Sequence, residues 1–403
     1  MTLSRRGFVA GAAVALTAGQ ASAGVRRRMD NTQVPDDRLD PWIELDPAAL
    51  EHNVRQVAQL SGRRPIRAVL KNNAYGLGLI PVARLLEPMD AIDGFAVVRA
   101  DEAIALRQAG IRKPIQLMAR AATRDLAELA ESAIELAVFA TDDPSRIRAT
   151  IGDRTQVDAQ YYVDTGLSRM GVPHERALPL LRATHASPSI RITGMFTTLT
   201  EDADFDREQL RRFTNLAEAA KREGITTGRL HAASSNGVYH VEEAHLDLVR
   251  PGIALYGAYP SRPDEERAKA ALHLACRLRA RIVRTQQLGA GESVGYGRRY
   301  VADRPIWIAT LPIGHADGYP GRASNGAHVH AGGHLYRVIA VTASHTVIEL
   351  GDEEQARVGE VVTLMGPDDV AIEPNAIASA IGVSAYDLLM HMREGLPRYT
   401  GVR

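Results

Sequence analysis

The strongest constraint on the fold of this chain is an alternation of short apolar runs with helix-like stretches between residues 42 and 271. Stretches such as 48–60 and 100–109 carry helical periodicity. Short apolar runs between them are typical of parallel strands that are buried on both faces. Roughly eight such strand–helix units predict a (β/α)8 TIM-like barrel. The clearest runs are residues 67–70, 94–98, 115–118, 160–163, 192–196, 229–232 and 246–250.

From residue 272 the pattern changes to strand-like runs that are joined by glycine-rich turns. Only the patch 375–393 in this part looks helical. We therefore expect an α/β barrel over residues 42–271, followed by a C-terminal mostly-β domain over residues 272–403. The strand-like runs are residues 277–284, 307–312, 327–330, 335–341 and 361–364.

The N-terminus has the features of an export signal. Arg5 and Arg6 precede Phe8, a run of small and apolar residues follows, and residues 21–23 (Ala-Ser-Ala) form a cleavage site. The apolar run is about half of the ~20 residues that cross a bilayer, so we expect no membrane anchor. The paired arginines indicate a twin-arginine signal peptide over residues 1–23, a linker over 24–41 and a periplasmic location.

Charge and cysteine content exclude several classes of function. The chain has 48 basic and 48 acidic residues, so its net charge gives no reason to expect binding to nucleic acid. A single cysteine, Cys276, excludes an intramolecular disulfide and cysteine-rich metal sites. His328, His330 and His334 have a spacing that could bind a metal, but their segment is typical of an ordinary hairpin. We therefore expect no metal.

Lysine is scarce, and the chain offers four amines, those of Lys71, Lys113, Lys221 and Lys269. Lys71 follows the apolar run 67–70 and so lies at the carboxyl end of a predicted strand, where barrel enzymes place their active sites. A desolvated lysine there can form a Schiff base or act as a general base. A lysine that only extends from a strand end to solvent fits the position equally well. The other three lie in sequences typical of a solvated surface.

The segment 71–78 (Lys-Asn-Asn-Ala-Tyr-Gly-Leu-Gly) is one of six that match a known pattern. The others are residues 164–171, 231–235, 249–257, 294–297 and 312–319. Together they resemble the motifs of the alanine racemase family, whose members are fold type III enzymes that use pyridoxal 5'-phosphate. The resemblance covers nearly all of the chain after the predicted linker, and it implies the barrel and β-domain architecture expected above.

The resemblance also implies a role for each matching residue. Lys71 would hold the cofactor and act as one acid–base group, and Tyr296 from the partner subunit would act as the other, which requires a homodimer. Arg250 would face the pyridine nitrogen without protonating it, and Arg169 would contact the phenolic oxygen. The cofactor phosphate would be bound by Tyr75, Ser235 and the backbone of Gly252 and Ile253.

Several positions depart from the family pattern, and most of them surround the expected substrate pocket. Thr198 replaces a histidine that packs on the cofactor ring, and Tyr162 replaces a lysine. Ala343 and Ser344 replace a Met-Asp pair, while His315 and Glu394 each replace a tyrosine. These changes predict a wider and more polar pocket for amino acids larger than alanine, including basic ones near Glu394. Neutral drift, with alanine still preferred, is the alternative.

The sequence thus predicts an amino-acid racemase that interconverts L- and D-amino acids with two bases, Lys71 and Tyr296 of the partner subunit. The expected ligands are pyridoxal 5'-phosphate and a free amino acid. Two alternatives remain open at this point. One is a decarboxylase of the same fold type, and the other is a periplasmic amino-acid-binding protein that keeps the cofactor without turnover.

Overall fold

The structure is a computed structural model that describes residues 37–401. The predicted signal peptide (1–23) and residues 24–36 of the predicted linker lie outside the described residues. Between residues 37 and 401, no helix is both long enough and apolar enough to cross a membrane.

The first elements of the described chain are strand β1 (Trp42–Leu45) and helix α1 (Pro47–Leu60). The side chain of Asp46 accepts a hydrogen bond from the backbone N–H of Ala49 at 3.1 Å, and Pro47 is the first helical residue. This is a favourable helix start, because the first N–H groups of a helix have no partner within the helix. The carboxylate accepts a hydrogen bond from one of them, and proline has no N–H to leave unpaired.

Alternating strands and helices then form a parallel barrel, which confirms the predicted fold class for this part of the chain. Its strands are β2 (Ile66–Val69), β3 (Ile92–Val97), β4 (Ile115–Leu117), β5 (Ile134–Val138), β6 (Val157–Asp164), β7 (Val172–Pro173), β8 (Ile190–Phe196) and β9 (Arg229–His231). Its helical segments are α2 (Lys71–Tyr75, a short left-handed turn), α3 (Leu79–Leu86), α4 (Ala100–Gln108), α5 (Leu126–Glu131), α6 (Asp143–Ile151), α7 (His174–His185), α8 (Ala203–Arg222), α9 (Ser235–His240) and α10 (Pro263–Lys269). The strand order is β2-β3-β4-β5-β6-β8-β9, and the short β7 pairs with β6.

An extended segment closes the barrel where an eighth regular strand is predicted over residues 246–250. Ile66 and Val249 form an isolated parallel bridge, and the N–H of Arg67 donates to the carbonyl of Val249 at 2.8 Å. On the other side, the N–H of Arg250 donates to the carbonyl of Ala233 at 2.8 Å. The segment therefore joins β2 to the end of β9 and fixes the position of Arg250 at the barrel mouth.

The second part of the chain is mostly β, as predicted. Its strands are β10 (Cys276–Arg281), β11 (Arg284–Leu288), β12 (Ser293–Val294), β13 (Tyr300–Val301), β14 (Ile306–Leu311), β15 (His328–Ala331), β16 (His334–Val341), β17 (Thr346–Gly351), β18 (Val361–Met365) and β19 (Arg398–Thr400). The helical patch consists of α11 (Pro374–Ile381) and α12 (Ala385–Met390). A nine-stranded sheet has the order β11-β14-β17-β16-β15-β18-β10-β1-β19, and β12 pairs with β13.

This sheet differs from the prediction in several details. The sequence pattern assigns strand β1 to the barrel, but β1 pairs with β10 and β19, so the described chain starts in the second sheet and then enters the barrel. Strand β17 is not predicted, because its charged and polar residues interrupt the apolar run. Short 3₁₀ turns lie at Thr123–Asp125, Glu242–Ala244, Ile253–Tyr256, Tyr296–Arg298, His315–Asp317, Gly321–Asn325 and Val370–Ile372.

Buried polar side chains connect several strands of the barrel. The guanidinium of Arg67 on β2 is fully buried and pairs with Glu135 on β5 and, at 2.7 Å, with Asp93 on β3. Gln160 on β6 donates to Glu135 at 2.8 Å and accepts from the ring of His231 on β9 at 2.9 Å. Buried charges are stable only when they are paired, so these contacts constrain how the strands pack.

Candidate active site

Lys71 begins a turn of unusual handedness at the end of β2. The four residues after it, 72–75, all have φ between 51° and 57°, although none of them is glycine. Left-handed backbone costs roughly 1–2 kcal/mol per L-residue, so the turn needs external support. Asn73 supplies part of that support: its N–H donates to Glu102 at 2.9 Å, and its side-chain oxygen accepts from the N–H of Leu79 at 2.7 Å.

The amine of Lys71 lies in an environment that favours its neutral form. Burial lowers the pKa of Lys71, and the positive charge of Arg169 lowers it further, whereas the negative charge of Glu201 acts in the opposite direction. The Nζ atom lies 5.7 Å from the centre of the Tyr75 ring. A lysine whose pKa is lowered is a better base and nucleophile near neutral pH than an ordinary surface lysine.

Tyr75, Gly252 and Ser235 meet on one side of the barrel mouth. A Cβ atom on Gly252 would lie 2.1 Å from the hydroxyl oxygen of Tyr75, so only glycine allows this approach. The Ser235 oxygen accepts hydrogen bonds from the N–H groups of Gly252, at 3.0 Å, and Ala254, at 3.3 Å. The N–H of Ile253 donates to no group within residues 37–401.

This cluster has the composition of an anion-binding site. The Ser235 oxygen already accepts two hydrogen bonds, so its own proton is free to donate. Burial raises the pKa of Tyr75 well above its ordinary value, which keeps the phenol protonated and able to donate. The Tyr75 hydroxyl, the Ser235 hydroxyl and the Ile253 N–H are therefore three donors that fit a phosphate group, as the sequence predicts for these residues.

Arg250 is held rigidly beside the mouth. Its guanidinium donates to the Nδ1 atom of His231 at 2.8 Å and to the carbonyl of Thr197 at 2.6 Å. Burial lowers the pKa of His231 well below its ordinary value, so the ring is neutral and Nδ1 can accept. Burial also lowers the pKa of Arg250 to about 10, which leaves it cationic at neutral pH.

Two residues that depart from the family pattern contact each other. The hydroxyl groups of Tyr162 and Thr198 are hydrogen-bonded at 3.1 Å. The Tyr162 ring stacks on Phe196, with ring centres 4.2 Å apart and planes at 17°, and Phe196 in turn stacks on His231 at 5.4 Å. Thr198 is therefore hydrogen-bonded to the end of an aromatic stack, a contact that the sequence does not predict.

The remaining predicted site residues lie on the second domain. Tyr296 is 87% exposed, and His315, Ala343 and Ser344 are also exposed. The backbone of His315 and its neighbour pairs with that of Thr342 and Ala343, which places His315 beside the loop 343–344. We call the predicted site residues of the barrel the barrel group; they are Lys71, Tyr75, Arg169, Ser235, Arg250, Gly252 and Ile253. Within the described chain, no hydrogen bond or ion pair connects Tyr296, His315, Ala343 or Ser344 to the barrel group. Within the described residues of a single chain, the two sets of predicted site residues thus make no direct polar contact with each other.

Glu394 and Arg169 lie at the margins of the barrel group. Glu394 is exposed and lines a cavity of about 780 Å³ together with Asn72 and Asn73, the residues that follow Lys71. Arg169 is exposed, and it forms no ion pair with any residue between 37 and 401. Both side chains are thus available to a ligand near the lysine turn.

The structure corrects one prediction about the other lysines. Lys113 is half-buried rather than solvated, and its amine donates to the carbonyls of Met89 and Ile92 at 2.7 and 2.5 Å. Lys221 is exposed, and Lys269, also exposed, donates to the carbonyl of Tyr239 at 2.6 Å. The described residues contain no cluster of three or more His, Cys, Asp or Glu side chains with the arrangement of a metal site.

Two residues that act on the site are not predicted from the sequence. Glu201 is not among the predicted site residues, and His231 is identified only as part of a matching segment. Glu201 lies in the loop after β8, and its charge acts on Lys71. A motif-based interpretation does not find it, because Glu201 lies outside the six matching segments. His231 lies inside a matching motif, but only its contacts with Gln160 and Arg250 show that it is a neutral bridge.

Comparison with known proteins places this fold and site in context. The family model for the alanine racemase N-terminal domain matches residues 45–260, and that for the alanine racemase C-terminal domain matches residues 275–400. Alanine racemase from Desulforamulus reducens is 32% identical over 365 residues, covering 89% of this chain and 98% of the relative. Alanine racemase from Xanthomonas oryzae pv. oryzae is 34% identical over 363 residues, covering 89% and 95%.

Solved structures agree with these relatives. Alanine racemase from Clostridium difficile 630 superposes with a TM-score of 0.84 and 25% identity, covering 90% of this chain and 96% of the other. Histidine racemase from Leuconostoc mesenteroides subsp. sake superposes with a TM-score of 0.80 and 26% identity, covering 90% and 98%. The barrel, the β-domain and these relatives define an amino-acid racemase. The chain belongs to the alanine racemase family.

The electrostatics of Lys71 give a prediction for the cofactor-free protein. Because burial and Arg169 lower the pKa of Lys71, we expect pulse acetylation of its amine to reach half-maximum below the ~10.4 of an ordinary lysine. Arg169→Gln removes a positive charge and should raise the midpoint, whereas Glu201→Gln removes a negative charge and should lower it. Mass spectrometry of the Lys71 peptide across pH measures the midpoint.

The control is Arg191→Gln, which removes an exposed arginine that pairs with Asp158 at 2.6 Å and should leave the midpoint unchanged. A midpoint at or above that of an ordinary lysine, or shifts of the opposite sign in the two variants, would show that the local charges do not act on Lys71 as described.

Proposed function

We propose that this racemase binds pyridoxal 5'-phosphate at the barrel mouth and moves the Cα proton of an amino acid between two bases, Lys71 and Tyr296 of the partner subunit. The cofactor would be attached through Lys71, with its phosphate on the Tyr75, Ser235 and Ile253 donors. The observation that carries the proposal is the convergence of three free donors next to an amine whose pKa is lowered. Bound pyridoxal phosphate supplies an electron-withdrawing system that acidifies the substrate Cα–H bond.

Lys71 and Tyr296 would act on opposite faces of the substrate carbon. Racemisation requires a proton to leave one face and another to arrive on the opposite face, so two bases suit it better than one. The lowered pKa of Lys71 makes its neutral, proton-accepting form more populated than that of an ordinary lysine. Tyr296 has no partner within the described chain and is 87% exposed, which suits a group that enters the site of a second subunit.

Arg250 would lie against the pyridine nitrogen and limit how strongly it draws electrons. Its guanidinium stays cationic and is fixed by His231 and Thr197, so it donates hydrogen bonds without giving up a proton. An unprotonated pyridine nitrogen withdraws electrons less strongly than a protonated one, which suppresses side reactions such as transamination. Arg169, exposed and without an ion pair within residues 37–401, would bind the phenolic oxygen.

The substrate pocket would accept amino acids larger than alanine. Thr198 is smaller than the histidine of the family pattern, and its hydroxyl is bonded to Tyr162. Ala343 and Ser344 are small and exposed, as expected for residues that leave room at the mouth of a partner's site. The similarity to a histidine racemase supports a ring-sized substrate side chain within this architecture.

Exchange at Cα tests the activity and the substrate range together. We expect the cofactor-loaded protein in D2O to incorporate deuterium at Cα of L-alanine, L-methionine, L-lysine and L-arginine and to form both enantiomers, because each base exchanges its proton with solvent. Chiral chromatography and mass spectrometry measure this. A preference for alanine of more than about tenfold in kcat/KM argues against the wider pocket.

The same assay separates the two rival functions. Release of CO2 from L-lysine or L-arginine without inversion would establish a decarboxylase instead. Binding of an amino acid with no deuterium at Cα would establish a protein without turnover. Cofactor-loaded Lys71→Ala is the control, and it should exchange no deuterium.

A hybrid dimer tests whether Tyr296 serves the partner's site. Lys71→Ala and Tyr296→Ala homodimers should both be inactive, or nearly so, because every site lacks one base. A doubly tagged heterodimer of the two chains contains one intact site and one site that lacks both bases, so we expect about half the wild-type rate per dimer. If both residues served the same chain, the heterodimer would contain no intact site, and its rate would equal the mean of the parents.

We further propose that the protein is exported in its folded form to the periplasm. This rests on Arg5, Arg6 and the small-residue cleavage site at residues 21–23. Replacing both arginines by lysine should retain the chain in the cytoplasm, because the twin-arginine route depends on the pair. Cell fractionation with a cytoplasmic marker measures the distribution, and equal periplasmic amounts of wild type and variant would refute the assignment.

A further inference from the structure

Gln160 on strand β6 lies inside the barrel beside the ring of His231, and the proposed function gives it no role. Both side chains are buried. The Gln160 side-chain oxygen lies 2.9 Å from Nε2 of His231. The side-chain nitrogen lies 2.8 Å from a carboxylate oxygen of Glu135 and 3.2 Å from the hydroxyl oxygen of Thr193. The amide therefore contacts side chains from the three strands β5, β8 and β9.

The orientation of this amide is determined by its surroundings. Glu135 forms an ion pair with the fully buried guanidinium of Arg67, and a carboxylate can only accept hydrogen bonds. The amide nitrogen must therefore face Glu135, which turns the amide oxygen toward His231. Gly194 makes room for that oxygen, because a Cβ atom at this position would lie 2.1 Å from it.

The amide oxygen in turn decides which nitrogen of His231 carries the proton. An amide oxygen can only accept, so Nε2 must be the N–H group and Nδ1 keeps a free lone pair. Nδ1 accepts a hydrogen bond from the guanidinium of Arg250 at 2.8 Å. In a protonated ring both nitrogens would donate, and the Nδ1–H group would point at a cation. Burial and the positive charges of Arg250, Arg67 and Arg229 lower the pKa of the ring well below its ordinary value, in agreement with the neutral form.

One half of the Arg250 guanidinium depends on this lone pair. Its Nη2 atom donates to the carbonyls of Thr197 at 2.6 Å and Ala232 at 3.3 Å. Its Nη1 atom has no hydrogen-bond partner other than His231 within residues 37–401. Without an acceptor at Nδ1, the guanidinium could turn about its Nη2 contacts, and a buried N–H group would lose its partner. Gln160 thus acts on Arg250 through the imidazole ring.

We propose that Gln160 is a positioning residue that fixes Arg250 against the cofactor by holding His231 in its neutral form with the proton on Nε2. This inference rests on the proposed function, in which Arg250 lies against the pyridine nitrogen of pyridoxal phosphate. A guanidinium held there cannot give that nitrogen a proton, whereas a displaced guanidinium would leave the nitrogen open to protonation. A protonated nitrogen withdraws electrons more strongly and favours transamination.

Half-transamination of L-alanine reports on this change. In this side reaction the proton that leaves Cα is delivered to the aldehyde-derived carbon of the cofactor instead of returning to Cα. Hydrolysis by one water then releases pyruvate and leaves the amino group on the cofactor as pyridoxamine phosphate. Racemisation leaves the cofactor unchanged. The amount of pyruvate formed per alanine inverted therefore measures how well the pyridine nitrogen is controlled.

Gln160→Met tests the proposal in the cofactor-loaded enzyme. It removes the amide oxygen and keeps an unbranched side chain of similar length. We expect pyruvate per alanine inverted to rise about fivefold, the scale of one lost hydrogen bond, because the ring no longer presents a fixed lone pair to Arg250. Chiral chromatography and a coupled pyruvate assay measure the ratio. Nitrogen NMR of isotope-labelled pyridoxal phosphate in the protein should show an unprotonated pyridine nitrogen in wild type and a shift toward the protonated form in Gln160→Met.

Gln116→Met is the matched control. Gln116 is also buried, on strand β4 of the same barrel, and neither its side-chain oxygen nor its side-chain nitrogen has a hydrogen-bond partner within the described chain. Loss of this amide should keep the pyruvate ratio within about twofold of wild type, because no hydrogen bond is removed. The same result for Gln160→Met would overturn the proposal. The racemase assignment would survive it, because alanine would still be inverted.

The protonation of His231 can also be measured in the wild type, so this test does not depend on the folding of a variant. Nitrogen NMR of the histidine-labelled protein should show His231 with a proton on Nε2 and none on Nδ1. A proton on Nδ1, alone or together with one on Nε2, would contradict the role of Gln160. The measurement needs no turnover. The expected protonation in a protein that exchanges no Cα deuterium would retain the role of Gln160 in holding Arg250 and reject the proposed reaction.

Discussion

A buried chain of polar contacts, which runs from Arg67 to Arg250, is the interaction on which the site depends. Arg67 pairs with Glu135, Glu135 accepts from Gln160, Gln160 accepts from His231, and His231 accepts from Arg250. Each link fixes the next: the amide of Gln160 must point its oxygen at His231, so the neutral ring must present Nδ1 to Arg250. Because removal of one member would leave a buried charge or donor unpaired, the barrel interior determines the orientation of Arg250 at the mouth.

The opposite side of the mouth depends on backbone geometry rather than on charge. The left-handed turn 72–75 ends at Tyr75, whose ring centre lies 4.9 Å from that of Tyr256, and Gly252 leaves space for the Tyr75 hydroxyl. The strain of the turn is offset by Glu102 and by the hydrogen bond from Leu79 to Asn73. Lys71 begins this turn, and Tyr75 at its other end supplies one of the hydrogen-bond donors, so one stretch of backbone positions both groups.

The sequence predicts structure well where a single residue type, or the spacing of apolar residues along the chain, indicates the element. Apolar runs identify most barrel strands, and the position of Lys71 directly after such a run indicates where the barrel mouth lies. The pairing of strands that lie far apart in the sequence cannot be predicted from local patterns. The pattern therefore assigns residues 42–45 to the barrel, although strand β1 pairs with β10 and β19. Glu201 is missed for a related reason: its effect on the pKa of Lys71 depends on three-dimensional neighbours.

The division of the site between the barrel and the β-domain has a chemical consequence. A base on each face of a planar reacting system must approach from opposite sides, and side chains of the barrel mouth can supply only the side from which they project. Tyr296, His315 and Ser344 face solvent on the second domain, and in the described chain these three residues have no hydrogen bond or ion pair with the barrel group. If a second copy supplies the missing face, as proposed, its loop 343–344 would also border the substrate side chain. Specificity would then be set from both subunits, by the barrel mouth of one and by the small residues of the other.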